Sequence, residues 1–319
     1  MQRSARFLWI VLLAWPSAVW AANGASAVSG LGFLLPRDAR PVGMGGAYVA
    51  VASGADSLLW NPAGLNQLRD WQLGLGQLNY VQGTTDDYLQ LARPIYGLGA
   101  WGLGATYFDS GTQQYYDVSG NNMGSFSDWD FSAQLALAVQ LPDDLSLGLT
   151  YKILRESYAY QNAMGSAFDL GLQWRHILPA LDMGFTAQNL GTPMALGSTY
   201  SPLPETLKLG LALHLGPNVL LAADEDFEPW TAPNSNHFWG ESINLVHVGA
   251  EANLPVGSWT VTGRAGYIWG PSQMALGGIT GLSVGGGVTL GDWQVDYAWV
   301  PMGDLGQTHR LSLTYSVGD

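Results

Sequence analysis

Ten charged residues recur at alternate positions of segments whose other positions are apolar: Asp130, Asp169, Asp182, Glu251 and Asp296, with Lys152, Arg175, Lys208, Arg264 and Arg310. Five acids set against five bases is the composition of an ion-pair network. A passage selective for one sign of ion would be biased to one sign of lining charge. Breaking a buried pair costs about 3–5 kcal/mol, so charges of both signs must meet if these segments enclose them. The expected chemistry is fastening, in an interior that conducts ions poorly.

Bond-breaking chemistry finds less support. Gly281-Leu282-Ser283-Val284-Gly285 matches the spacing of a nucleophile elbow, but it lies within an alternating segment and not at a strand-to-helix turn. Gly97-Leu98-Gly99-Ala100-Trp101-Gly102 matches a dinucleotide fingerprint, yet it spans a turn between two strands. Of the five histidines, His176 and His309 fall near opposite ends of the segments. His237 and His247 could share one side with Glu241, the arrangement left open to hydrolysis or a metal. Asp224-Glu225-Asp226 and Glu228 open a long connection, where clustered carboxylates could attract Ca²⁺ or simply be solvated. There is no cysteine, which removes thiol chemistry and disulfides. The expectation is a non-enzyme with no catalytic residue, metal or cofactor.

The elements that carry the charges alternate with period two. Trp293, Val295, Tyr297 and Trp299 oppose Gln294, Asp296 and Ala298, and Leu207, Leu209, Leu211 and Leu213 oppose Lys208, Gly210 and Ala212. Successive side chains of a strand point to opposite faces, so each segment has an oily and a polar face. Fourteen such segments run from Trp71 to Val317. Short connections, such as Pro142-Asp143 and Gly216-Pro217, alternate with longer ones at 82–86, 110–127, 157–164, 191–204, 227–243, 270–278 and 301–307. That pattern predicts an all-β, antiparallel up-and-down transmembrane barrel of 14 strands, tight turns on one rim and loops on the other.

Composition agrees. Of 319 residues only 12% are charged, against about 25% in soluble domains. No internal stretch reaches the ~20 apolar residues of a membrane helix, which leaves a closed barrel as the way to cross a bilayer. The 14 Trp and 14 Tyr, many near segment ends, suit interfacial girdles. A net charge of −13 argues against nucleic acid. Arg3 and Arg6, the apolar run Phe7–Trp15 and Val19-Trp20-Ala21 read as a secretory signal peptide over 1–21. The barrel takes 71–319. Residues 22–70 do not alternate and are expected to form a hatch inside it.

The hatch segment also carries a family resemblance. Ala39-Arg40-Pro41-Val42-Gly43-Met44-Gly45-Gly46, then Leu58-Leu59-Trp60-Asn61-Pro62-Ala63-Gly64-Leu65, resembles the start of PorV/PorQ-family outer-membrane proteins, relatives of the FadL-type fatty-acid transporters. The likeness continues at Gln188-Asn189-Leu190-Gly191 and through Asp296-Tyr297-Ala298-Trp299-Val300-Pro301. It implies a plugged 14-stranded barrel in a Gram-negative-type outer membrane, with Arg40, Met44, Gly45, Gly46, Asn61, Pro62, Ala63 and Gly64 as the plug motif. The chain departs from the pattern in its shorter length and in ending Val317-Gly318-Asp319 instead of on an aromatic residue.

Two functions compete. One is passage or binding of a hydrophobic small molecule at a pocket beside the hatch, lined by Phe33, Leu34, Leu35, Leu58, Leu59 and Trp60. The alternative is a binding or scaffold role in protein secretion or envelope assembly. It would use loops 110–127, 191–204 and 227–243, with Tyr115, Tyr116, Trp230, Phe238 and Trp239 as anchors. Outer-membrane lipid and lipopolysaccharide are expected neighbours under both.

Overall fold

The computed structural model describes residues 30–158, 161–228, 243–270 and 278–317. The leader and residues 22–29 therefore lie outside the described residues, as do Trp230, His237, Phe238, Trp239 and Glu241. The strands are β1 (Trp71–Asn79), β2 (Thr85–Ile95), β3 (Gly99–Tyr116), β4 (Asn122–Gln140), β5 (Leu145–Tyr158), β6 (Gln161–Leu178), β7 (Leu181–Gly191), β8 (Met194–Leu196), β9 (Thr199–Ser201), β10 (Thr206–Leu215), β11 (Val219–Glu228), β12 (Ile243–Val256), β13 (Trp259–Trp269), β14 (Leu282–Leu290), β15 (Trp293–Pro301) and β16 (Gln307–Val317).

Fourteen of them close into one antiparallel barrel, and β8 with β9 makes a separate hairpin. Closure is made by β1 against β16, in register from Trp71↔Val317 to Asn79↔His309. A closed wall leaves no unpaired edge. Both ends of the barrel chain thus lie on one rim, here called lower.

The alternation sorts side chains as the strand period requires. On β5, Leu147, Leu149, Tyr151 and Ile153 face out and are exposed, while Ser146, Thr150, Lys152 and Leu154 face in and are buried. Neighbouring strands repeat the pattern with Leu135 and Leu137 on β4 and Leu209, Leu211 and Leu213 on β10, all exposed. Soluble monomers rarely expose apolar patches beyond a few hundred Å². A greasy exterior around a hydrogen-bonded closed wall is suited to hydrocarbon, where every backbone group must be satisfied internally. At the lower rim, Trp293 lies 4.4 Å from Tyr315 between ring centroids, and Trp71 lies 6.5 Å from the same ring.

Three loop expectations need correction. Residues 110–127 are mostly strand: β3 and β4 stay paired to Tyr116↔Asn122, past a bulge between Asp109 and Thr112. The 157–164 connection also contracts, because β5 and β6 pair to Tyr158↔Gln161. Above an apolar belt both faces of a strand are wet, so hydrophobic alternation stops although the ladder continues. The 191–204 connection folds back instead of standing free. Met194 and Leu203 are buried with Leu154, Ala163 and Ala167, and Phe33 and Leu196 pack against them.

Candidate functional site

Residues 30–70 form short helices and turns that pack on the inward face of the wall. Helix α1 (Ala39–Gly43) meets β13, β14, β15 and β16, and the 3-10 turn Pro62–Gln67 meets β4, β5 and β6. A five-residue helix has no stability of its own, so contact with the wall must define it. The fit depends on absent side chains. A β-carbon on Gly249 or Gly266 would collide with the Met44–Gly45 backbone. Gly45 and Gly46 have φ of +68° and +81°, a region L side chains rarely adopt.

Polar groups then lock the seat. Asn61 is fully buried, and its amide donates to the carbonyls of Val49 at 2.8 Å and Leu172 at 3.1 Å. Its Oδ1 accepts from the Ala63 N–H at 3.2 Å, capping the turn that Pro62 begins. Ala63 and Gly64 are buried in that turn. The Asp224 carboxylate accepts from the backbone N–H groups of Tyr48 at 2.6 Å and Val49 at 2.7 Å. Hydrogen bonds to a charged group contribute about 1.5–3 kcal/mol each. In Asp224→Ala the Tyr48–Val49 amides are therefore expected to exchange hydrogen at least about tenfold faster by mass spectrometry. Unchanged protection would show that this carboxylate holds nothing.

The inward charges are largely paired. Glu251 accepts two bonds from Arg40, at 2.9 and 3.0 Å, and one from Arg264 at 2.7 Å. Arg264 also reaches Asp296 at 2.6 Å. Lys152 pairs with Asp169 at 2.6 Å and Lys208 with Asp226. Arg175 approaches Asp182 only to 3.9 Å, and Asp182 is nearer His214 at 2.9 Å. Two residues find other partners: Asp130 lies against Gly32, and Arg310 donates to the Pro36 carbonyl at 2.8 Å. Sequence reasoning missed Arg37–Asp86 at 2.7 Å and the role of Arg40 as a member of the network.

Asp224, Glu225 and Asp226 do not form one carboxylate cluster. Asp224 and Asp226 are buried inside the wall and Glu225 points out, as alternation on β11 demands. His247 is also interior, with Nδ1 2.6 Å from the Gly45 carbonyl and Nε2 3.3 Å from Asp226. Among the described residues no group of three His, Asp or Glu side chains is placed to hold a metal. Ser283 lies on β14, 3.5 Å from the Gly43 carbonyl.

Among the described residues, the interior holds an upper and a lower space. The upper one, about 260 Å³, is lined by Phe33, Leu34, Leu35, Leu59 and Trp60 from the inner segment and by Leu154, Val300 and Met302 among others. Lys152, Gln188, Lys208 and Arg310 add polar heads. Leu58 does not line it; fully buried, it packs on Gly102 and Gly104 of β3. The wall residues were not found from sequence because an inward leucine among polar neighbours, such as Leu154, breaks the alternation rule without announcing why.

The lower space, about 330 Å³, is polar and includes Asp38, Arg40, Asp56, Gln90, Asp296 and Ser312. Between the two lies a layer containing Tyr48 and Trp60, packed edge to face at 5.8 Å. The Trp60 indole N–H donates to Asp38 at 3.2 Å, and the Tyr48 hydroxyl donates to Asp56 at 2.8 Å. Burial raises the carboxyl pKa of both Asp38 and Asp56, and in Asp38 the neighbouring Asp56 charge adds to it.

No protein-family model matches the chain, and no curated protein matches it in sequence. Solved structures do. The CymD monoaromatic hydrocarbon channel aligns with a TM-score of 0.64 at 15% identity, covering 92% of this chain and 100% of that one. The toluene transporter TodX of P. putida gives 0.62 at 14% identity, over 88% and 99%. A FadL homologue of Pseudomonas aeruginosa gives 0.60 at 12% identity, again over 88% and 99%. At this identity the likeness establishes the fold alone: a closed 14-stranded antiparallel barrel, as in these structures.

Proposed function

We propose that the chain is an outer-membrane barrel in which residues 30–70 plug the lumen and a small hydrophobic compound binds on the plug's upper face. The observation that carries this reading is the apolar upper space, walled jointly by the inner segment and the barrel and separated from a polar space below by the Tyr48–Trp60 layer. Ligand sites are typically concave and mainly apolar, with a few polar groups that orient the guest. TodX is a toluene transporter and CymD a monoaromatic hydrocarbon channel, which supports a guest of that general class. The longer connections and projecting hairpins of the upper rim then face the outside, and both barrel ends face the periplasm. The PorV/PorQ assignment is the finer proposal and rests on the motifs at Arg40–Gly46 and Asp296–Pro301.

The test is solvent extraction and mass spectrometry of the purified barrel, followed by titration with toluene and with laurate. Burying a leucine side chain is worth roughly 1.5–3 kcal/mol. Leu59→Asn should therefore weaken binding by about tenfold or more while the barrel stays folded. A protein that carries no hydrophobic compound and takes up neither probe would end this reading.

A further inference from the structure

Arg155 sits at the outward-facing upper end of β5 and is exposed. Its guanidinium lies over the Trp129 ring, 5.9 Å from the centroid, and Tyr107 stacks on the same tryptophan at 6.3 Å. In register its neighbours are Phe131 and Met164. Arg155 makes no ion pair among the described residues.

Position and charge make this arginine singular. From residue 30 onward, every other lysine and arginine lies on the inner segment, faces the lumen or sits toward the lower rim. Among the described residues the other charges outside the lumen near the upper rim are carboxylates, Asp87, Asp109, Asp117, Glu225 and Asp304 among them. Below Arg155, the outward positions of β5 are Leu147, Leu149, Tyr151 and Ile153. Ten residues from Leu145, at ~3.3 Å each on a strand tilted ~40°, place the guanidinium roughly 25 Å above the lower rim. That is about the height of the apolar band of such barrels. A cation on an aromatic face at this height stands where hydrocarbon gives way to head groups.

We propose that Arg155, with Trp129 and Tyr107, seats the phosphate of one outer-leaflet lipid, a phosphorylated glycolipid of the lipid A type. A guanidinium donates two parallel hydrogen bonds to a phosphate. Stacking on Trp129 holds the fork in place, and the Phe131–Met164 surface takes the first part of an acyl chain. The acidic remainder of the upper rim repels phosphate, so the lipid docks on the β3–β6 side. The proposal rests on the membrane reading above but not on any guest in the lumen. A barrel that fails to insert into phospholipid vesicles would sink that reading separately.

The experiment is native mass spectrometry of the full-length barrel in detergent, titrated with diphosphoryl lipid A and, in parallel, with lipid A stripped of phosphate. One diphosphoryl lipid A per barrel is expected, bound about tenfold more weakly by Arg155→Gln. Trp129→Leu should weaken it less, and Arg93→Gln, which alters the outward arginine near the lower rim, should leave it unchanged. Heat-modifiable electrophoresis confirms that each variant is folded. Equal binding by Arg155→Gln, equal binding of the dephosphorylated lipid, or displacement by inorganic phosphate at matched concentration would each overturn the assignment.

Discussion

Removal of the Glu251 carboxylate is expected to open the barrel. In Glu251→Ala, Arg264 keeps Asp296, but Arg40 loses both of its bonds to the wall. Its other donor contacts are to the Tyr48 and Ser53 hydroxyls, which carry no compensating charge. Stranding a buried partner costs about 3–5 kcal/mol, and the Arg40 side chain, 22% exposed, recovers only part of that from water. The cost falls on the seating of α1, because Arg40 belongs to that helix. Planar-bilayer recordings should show little steady conductance for the intact protein and frequent opening steps for the variant. The double variant Arg40→Met with Glu251→Ala should be quieter than Glu251→Ala alone, since no charge is left unpaired. A steady porin-sized conductance in the intact protein, or quiet traces from the single variant, would show that this network closes nothing.

The second large effect is steric. In Gly266→Val the new side chain occupies the space of the Met44–Gly45 backbone, and backbone cannot swing aside as a flexible side chain can. Overpacking a fitted interface costs about 1–3 kcal/mol even where the surroundings relax. The inner segment should leave its seat while the barrel, held by its own ladder, remains closed. Arg37, 6% exposed in the seated form, would then become a trypsin site. Gly263→Val is the matched control: it lies on the same strand, faces outward and meets nothing within 4 Å. Cleavage after Arg37 in the first variant and not in the second is the expected result. Resistance in both, with both barrels folded, would mean that glycine spacing does not set the fit.

Strands were legible from residue types because a barrel wall has an oily outside and a polar inside, and period two writes that difference along the chain. Leu147, Leu149, Tyr151 and Ile153 could be assigned to one face without coordinates. The same rule failed above the belt, where β3 and β4 continue through polar sequence that gives no contrast between faces. It also failed at Asp224 to Asp226, where clustering along the chain hid the alternation that sends Glu225 out and its neighbours in.

The balance of inward charges foretold pairing but not partners. Which carboxylate Arg40 meets depends on a partner 211 positions along the chain and on barrel closure, and neither is a local property. The site is likewise a product of tertiary structure. Leu58 and Leu59 are adjacent and chemically equal, yet one packs on Gly102 and the other lines the upper space. Sequence alone determined the wall, through the alternation that solvent contrast demands. Tertiary structure decided what lies within it, because an irregular segment takes its shape from the surface that receives it.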